Sequence, residues 1–330
     1  MNYDSIRLEK GMYASPGRSF SQLLEEMDPS AEYAGTDLGG LDAFQRQLKR
    51  FDIKVAGADS DAVQKFFSTT QSAALFPEYV ARAVRQGVEE ADILGKIVAA
   101  TTKIDGLDYR TIQSVPGADD KSLKHVAEGA LIPETVVKTR ENLVGLHKRG
   151  RMLVASYEAI KFQRLDLFTV TLRQIGAHIA RAQLEDAVAE LLAGEGRTIE
   201  ALDPGALAYG DLIALWDSLS PYEMNTLVAS PDMMLKLLGI EEFRDPQTGL
   251  NFQGTGKLTT PLGASLYRSS AVPAGHIVGL DRSCALERVV ASDVSVDYDK
   301  LIDRQLERAA ITSIAGFSKI FPEASKILTV

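Results

Sequence analysis

The densest chemistry in the sequence is a run of positive charge. Between Lys138 and Arg151 stand five basic residues, Lys138, Arg140, Lys148, Arg149 and Arg151, against one acidic residue, Glu141. Such a segment is either a solvated face or a surface made to lie on an acidic neighbour. Complementary charge of this kind guides encounter and register more than it supplies affinity. Catalytic groupings are harder to assemble. None of the histidines (His125, His147, His178, His276) has a partner three or four residues away, as a helical zinc site needs. Gly254-Thr255-Gly256-Lys257 invites a phosphate-loop reading. However, Asn251 stands where that motif opens with glycine, and Leu258 where Ser or Thr would meet magnesium. Ser265 lacks the second glycine of a nucleophile elbow. The single cysteine, Cys284, reads as a small buried hydrophobe in a β region. The acidic clusters Glu89-Glu90-Asp92 and Asp119-Asp120 fall on polar faces or loops, where solvation accounts for them. No catalytic residue, cofactor or metal ligand is assigned, and the chain is not read as an enzyme. A soluble enzyme whose site is built from carboxylates distant in sequence stays open as an alternative.

The bulk composition narrows the partners. A net charge of -9 argues against a protein that grips nucleic acid, because phosphate neutralisation requires a basic surplus. Any contact with DNA is expected to be weak and non-specific. Apolar residues make up 45% of the chain, enough for a large core. No stretch approaches the roughly 18 apolar residues that span a bilayer, and Met1 to Lys10 lacks an apolar signal core. One cysteine rules out an intrachain disulfide framework and suits a reducing cytoplasm.

The elements that must position the basic segment follow from periodicity. Residues 1–40 read as an extended arm with one helical piece, Phe20 to Met27. Leu41, Phe44, Leu48 and Phe51 mark one face of a short helix, and Ala56 to Asp61 a linker. A second helix starts at Pro77, with Val80, Val84 and Val88 as its stripe. Leu107 to Val115 has strand alternation, Pro116 to Ala130 is rich in turn formers, and Thr135 to Val154 is extended again. Together these predict a large hairpin that carries the basic residues and is too long to stand alone. The strongest helix runs from Asp166, its expected N-cap, to Gly194, with Phe168, Leu172, Ile175, Ile179 and Ala182 on one face. At 1.5 Å per residue it is a spine of roughly 40 Å. The remainder is α+β: helices over Ala208–Leu219 and from Ser230-Pro231 to Leu238, and strands at Thr226–Ala229, Ala264–Arg268, His276–Leu280, Ala285–Val290, Val294–Tyr298 and Ile311–Phe317. Glu241 to Thr260 is expected as a loop.

The order of these pieces resembles the major capsid family of tailed bacteriophages, whose fold is shared with the encapsulins. Ala127-Glu128-Gly129-Ala130-Leu131-Ile132-Pro133-Glu134 is similar to the signature of the family's extended loop. It is followed, as in that family, by Met152-Leu153-Val154-Ala155-Ser156-Tyr157-Glu158 and by the spine ending in Glu190-Leu191-Leu192-Ala193-Gly194. Leu227-Val228-Ala229-Ser230-Pro231 looks like the strand and helix of the axial domain. Gly263 with Ser269-Ser270-Ala271-Val272-Pro273-Ala274-Gly275, and then Gly279-Leu280-Asp281-Arg282, resemble later segments of the same family. The likeness spans Phe76 to Phe321.

The resemblance implies an α+β capsid fold: an N-terminal arm (1–75), the start of a peripheral domain (76–106), an extended hairpin loop (107–155), the peripheral domain with its spine helix (156–204), an axial domain (205–283) and β segments returning to the peripheral domain (284–330). It implies self-assembly into pentamers and hexamers of an icosahedral phage or prophage head around double-stranded DNA, assembled in the bacterial cytoplasm. Scaffold, portal and minor capsid proteins are further partners. Lys138, Arg140, Lys148, Arg149 and Arg151 would then contact a neighbouring copy. The alternative within the same fold is an encapsulin compartment that packages cargo enzymes. Some relatives cross-link a loop lysine to a peripheral-domain asparagine. No asparagine follows Asn251 here, so Lys121 and Lys124 carry no implied covalent role and the shell is expected to be non-covalent. The arm is expected to stay uncleaved, with any scaffold supplied separately.

Overall fold

A computed structural model describes residues 3–14, 18–114, 125, 128, 137–139, 143–156, 162–194, 198–244, 262–301 and 306–330. The chain forms two compact units. The first comprises residues 1–91, 149–180 and 294–313, and the second residues 92–148, 181–293 and 314–330. The spine helix and three long strands contribute residues to both.

The first unit is mostly helical. Helices α1 (Phe20–Met27) and α2 (Ala43–Arg50) each begin with a capping box. Ser19 accepts from the Gln22 amide while the Gln22 side chain accepts from the Ser19 amide, and Asp42 and Gln45 repeat the arrangement. The short α3 (Thr70–Ala73) leads into α4 (Phe76–Ala91), with Pro77 in its first turn. Helix α5 (Leu165–Leu192) is the spine. It begins at Leu165, so Asp166 lies in the first turn rather than at the N-cap, where its carboxylate accepts from the Leu167 amide at 2.8 Å. The core joins Phe20, Leu24, Phe44, Leu48, Phe66, Phe76, Val80 and Val84 to Leu165, Phe168, Leu172 and Ile175.

The segment read as an arm at residues 1–40 is therefore packed into the core of the first unit. Leu8, Phe20, Leu24 and Tyr33 are fully buried. The physical reason lies in Arg46, which is 0% exposed. Its Nε donates to Asp28 Oδ2 at 2.6 Å, its Nη2 to the Asp28 carbonyl, and its Nη1 to the Leu41 carbonyl and Ser30 Oγ. The guanidinium also stacks 4.2 Å from the Tyr33 ring centroid. One side chain thus ties residues 28–41 to α2.

Where α4 meets α5 the two backbones touch. A Cβ on Gly176 would lie 2.1 Å from the Val84 carbonyl oxygen, and one on Gly87 2.1 Å from that of Arg173. Glycine at both positions is what permits this crossing.

The second unit is built on a five-stranded mixed sheet, in the order β5 (Thr198–Glu200), β11 (Ser325–Thr329), β8 (His276–Leu280), β6 (Thr226–Ala229), β7 (Ser265–Arg268). The β11–β5 and β6–β7 pairs are parallel; the two pairs made by β8 are antiparallel. Strand alternation sends the side chains to two cores. Leu227, Ala229, Ile277 and Leu328 face helices α6 (Tyr209–Ser218), α7 (Pro231–Gly239) and α8 (Glu241–Arg244). Val228 and Val278 face Leu184, Ala187, Val188 and Leu191 of α5. Helix α8 replaces the start of the loop expected from Glu241; residues 245–261, including Gly254 to Lys257, lie outside the described residues.

A second sheet has the order β1 (Ala100–Lys103), β9 (Leu286–Leu301), β10 (Leu306–Lys319), β4 (Leu146–Ser156). The segments read as Ala285–Val290 and Val294–Tyr298 are one strand, β9, because Ala291, Ser292 and Asp293 break the apolar pattern without breaking the backbone ladder. Residues 107–111, expected to be extended, are irregular; the strand β2 covers only Ile112–Ser114. Cys284 sits in a turn rather than a strand, its amide donating to the Asp281 carbonyl. Burial pushes its thiol up to about 11.

Candidate assembly surface

Two chain segments form the root of the predicted hairpin, and both belong to the second unit. Strand β1 runs parallel to β9, with Ala100 beside Glu287 and Lys103 beside Val290. After a turn the chain comes back over β9 and departs as β2. This pairs antiparallel with β3 (Val137–Thr139), Gln113 opposite Lys138. The return segment re-enters at Val144, a buried residue whose amide donates to the Tyr109 carbonyl at 2.9 Å. Its closing position depends on Gly316 of β10, where a Cβ would lie 2.4 Å from the Gly145 carbonyl oxygen. His147 Nδ1 then sits 3.1 Å from Asp186 of α5.

At the centre of the root is Glu287, a buried carboxylate on β9. The hydroxyls of Thr102 (2.5 Å), Tyr109 (2.8 Å) and Thr111 all donate to it. Burial and this hydrogen bond raise the Tyr109 pKa above its ordinary value. The next residue, Arg288, donates instead to Gln183 of α5 at 2.8 Å. Glu287 was not among the residues singled out by sequence. The legible signal was a lone acid in the apolar run Ala285 to Val290.

The three basic residues of β4 are divided between its two faces. Along β4 the pleat places Arg149 and Arg151 on the face that Leu153 turns to the core of the first unit. Lys148 lies on the other face, with Met152 and Val154, which are exposed. Lys148 and Arg151 are exposed and Arg149 is half-buried. Lys138 is placed by its backbone alone, in β3. Arg140 lies outside the described residues, as do Ala127, Gly129 to Glu134, Lys121, Lys124, Tyr157 and Glu158. Sequence reasoning also missed the apolar surface of the first unit. Besides Met152 and Val154, the side chains of Phe162, Leu167 and Val170 are exposed at the start of α5.

Elsewhere the chemistry is structural. Asp281 accepts from Asn225 Nδ2, Ser283 Oγ and the Glu223 and Ser283 amides. Burial works to raise its pKa, and these donors outweigh it, holding the carboxyl below the usual carboxylate range. His276 Nδ1 contacts the Ala274 carbonyl, and His125 and His178 are exposed. Among the described residues no group of three or more His, Cys, Asp or Glu side chains could hold a metal ion, and no helix is long and apolar enough to cross a membrane.

Comparison with known proteins places this arrangement. Residues 140–300 match the family model described as phage capsid protein. No curated protein matches the sequence significantly. Among solved structures, the virus-like particle from Pyrococcus furiosus is similar at 15% identity and a TM-score of 0.53, covering 77% of this chain and 99% of that one. The capsid of the cyanophage P-SCSP1u is similar at 13% identity and a TM-score of 0.52, covering 72% and 87%. The SrpI encapsulin from Synechococcus elongatus is similar at 14% identity and a TM-score of 0.52, covering 72% and 86%. The chain thus shares the fold of these shell subunits and matches the phage capsid family across residues 140–300.

Proposed function

We propose that the chain is the major head protein of a tailed phage or prophage. It builds pentamers and hexamers that close into an icosahedral shell around double-stranded DNA, and its role is structural rather than enzymatic. The observation that carries this is the family match over residues 140–300, joined to a spine helix and a hairpin root in the order that shell subunits use. Repeated heterologous contacts that close on themselves give such a shell, and many modest contacts per copy make its resistance to internal pressure collective. A non-covalent shell is consistent with the absence of asparagine after Asn251.

In this reading the hairpin lies on an adjacent copy, and Lys138, Arg140, Lys148, Arg149 and Arg151 steer it there. Scaffold, portal and minor capsid proteins are partners at assembly, which takes place in the bacterial cytoplasm. DNA is held by weak, non-specific contact, as the net charge of -9 requires. A cargo compartment is the second reading, favoured by the equal likeness to an encapsulin subunit. Negative-stain microscopy of the expressed protein, with nuclease-protected nucleic acid assayed in the same particles, tests the proposal. Closed shells are expected, and shells recovered from lysed phage-producing cells should hold double-stranded DNA. Shells filled with a protein cargo instead would favour the compartment.

A further inference from the structure

From the geometry of the hairpin root we infer that Glu287 is a latch: its carboxylate fixes the direction in which the extended hairpin leaves the second unit. The inference rests on the reading that this hairpin reaches an adjacent copy. Its core, that one carboxylate holds the root in place, stands on the subunit alone.

The outgoing segment has little else to hold it. Between Ile104 and Arg110 the side chains of Asp105, Leu107, Asp108 and Arg110 are exposed, Leu107 at 65%. There is no helix here, and the ladder of β1 on β9 ends with the Ile104 amide donating to the Val290 carbonyl. Among the described side chains of the two root segments, the buried apolar one is Val144 on the returning side. What draws residues 109–111 back over the sheet is hydrogen bonding. Tyr109 and Thr111 donate to the carboxylate that Thr102 already engages from within β1. A carboxylate offers about four acceptor positions, so three hydroxyls nearly saturate it, and bonds to a charged acceptor are about twice as strong as neutral ones.

The position of Glu287 gives the latch its reach. It sits on β9, a strand with neighbours on both sides, so the anchor is rigid. The Tyr109 carbonyl it immobilises accepts from the Val144 amide, so both roots of the hairpin are held through one acid. Arg288 on the opposite face binds α5 through Gln183, which fixes the register of β9 against the spine.

The test is Glu287→Gln, which keeps the shape, removes the charge and turns one acceptor atom into a donor. Thr111→Val is the second variant, removing one hydroxyl without touching the sheet. In unassembled subunits, hydrogen exchange at residues 108–112 and 143–147 should rise about tenfold or more, while the amides of Ile277 to Leu280 keep their wild-type protection. In assembly reactions the same variants should give fewer closed shells and more open or aberrant particles than the wild type. Unchanged exchange at the root in a folded variant would overturn the latch. Raised exchange with normal shells would overturn its role in directing the hairpin. If the wild-type protein formed no shells, the assembly reading would fall, and the exchange comparison would still decide whether Glu287 holds the root.

Discussion

Arg46 shows how much a single residue organises and how little of that its spacing reveals. In the sequence it is one cation on the polar side of an amphipathic helix. In the structure it is fully buried, paired to Asp28 and bonded to two backbone carbonyls. Tyr33 completes the group, donating to Asp28 at 2.5 Å, and burial together with that bond raises its pKa. Removing one partner of a buried pair leaves the other charge without compensation, which costs about 3–5 kcal/mol. Arg46→Ala should therefore lower the unfolding free energy of the unassembled subunit by about that amount in urea denaturation. A loss of under about 1 kcal/mol, typical of a surface ion pair, would contradict the account. Sequence could not supply this, because the partners lie up to 18 residues away and are gathered only when α1 and α2 pack. Glu287 has the same history at greater range, with donors 176 to 185 positions distant.

At the scale of elements, the helices were legible and the strands were legible in part. The i, i+3, i+4 stripes of α2, α4 and α5 each bury the side chains the pattern names, Phe44 and Leu48, Val80 and Val84, Leu172 and Ile175. Helical amphipathicity is a local signal, and here it suffices. The short β1, β5 and β11 were not read, since strands of three to five residues gain their stability from neighbours rather than from their own alternation. The helix crossing is another property that only the pair of elements possesses. Gly176→Ala forces the Val84 and Val88 backbone away from α5. Overpacking of this kind costs about 1–3 kcal/mol, and rigid backbone on both sides places this case at the upper end. The midpoint of chemical denaturation should fall accordingly; an alanine that left it unchanged would mean that the helices part freely there. Strand β4 carries the element-scale prediction for assembly. Reversing Arg149 and Arg151 to Glu should leave the subunit folded and reduce the yield of assembled particles, most at low salt, where charge steering is strongest. Equal yields across salt concentrations would remove the basic hairpin from the account.

For the whole molecule, the order of elements was readable while their grouping was not. The α5 stripe continues through both compact units without a break in pattern, so no boundary is marked at residue 180. Residues 1–40 were read as an extended arm, yet residues 6–84 supply much of the core of the first unit. The candidate surface was half legible. A hairpin carrying positive charge could be read from composition, whereas the division of that charge between two faces of β4 follows from register, and the exposed apolar residues Met152, Val154, Leu167 and Val170 follow from what each unit leaves uncovered. An exposed set of that kind is what a subunit buries on assembly. The measurement that bears most directly on the central claim is negative-stain electron microscopy of the purified, expressed chain over a range of salt and protein concentrations. The account predicts closed shells of uniform diameter with pentameric and hexameric facets. A discrete small oligomer under every condition, with no shells, would contradict it.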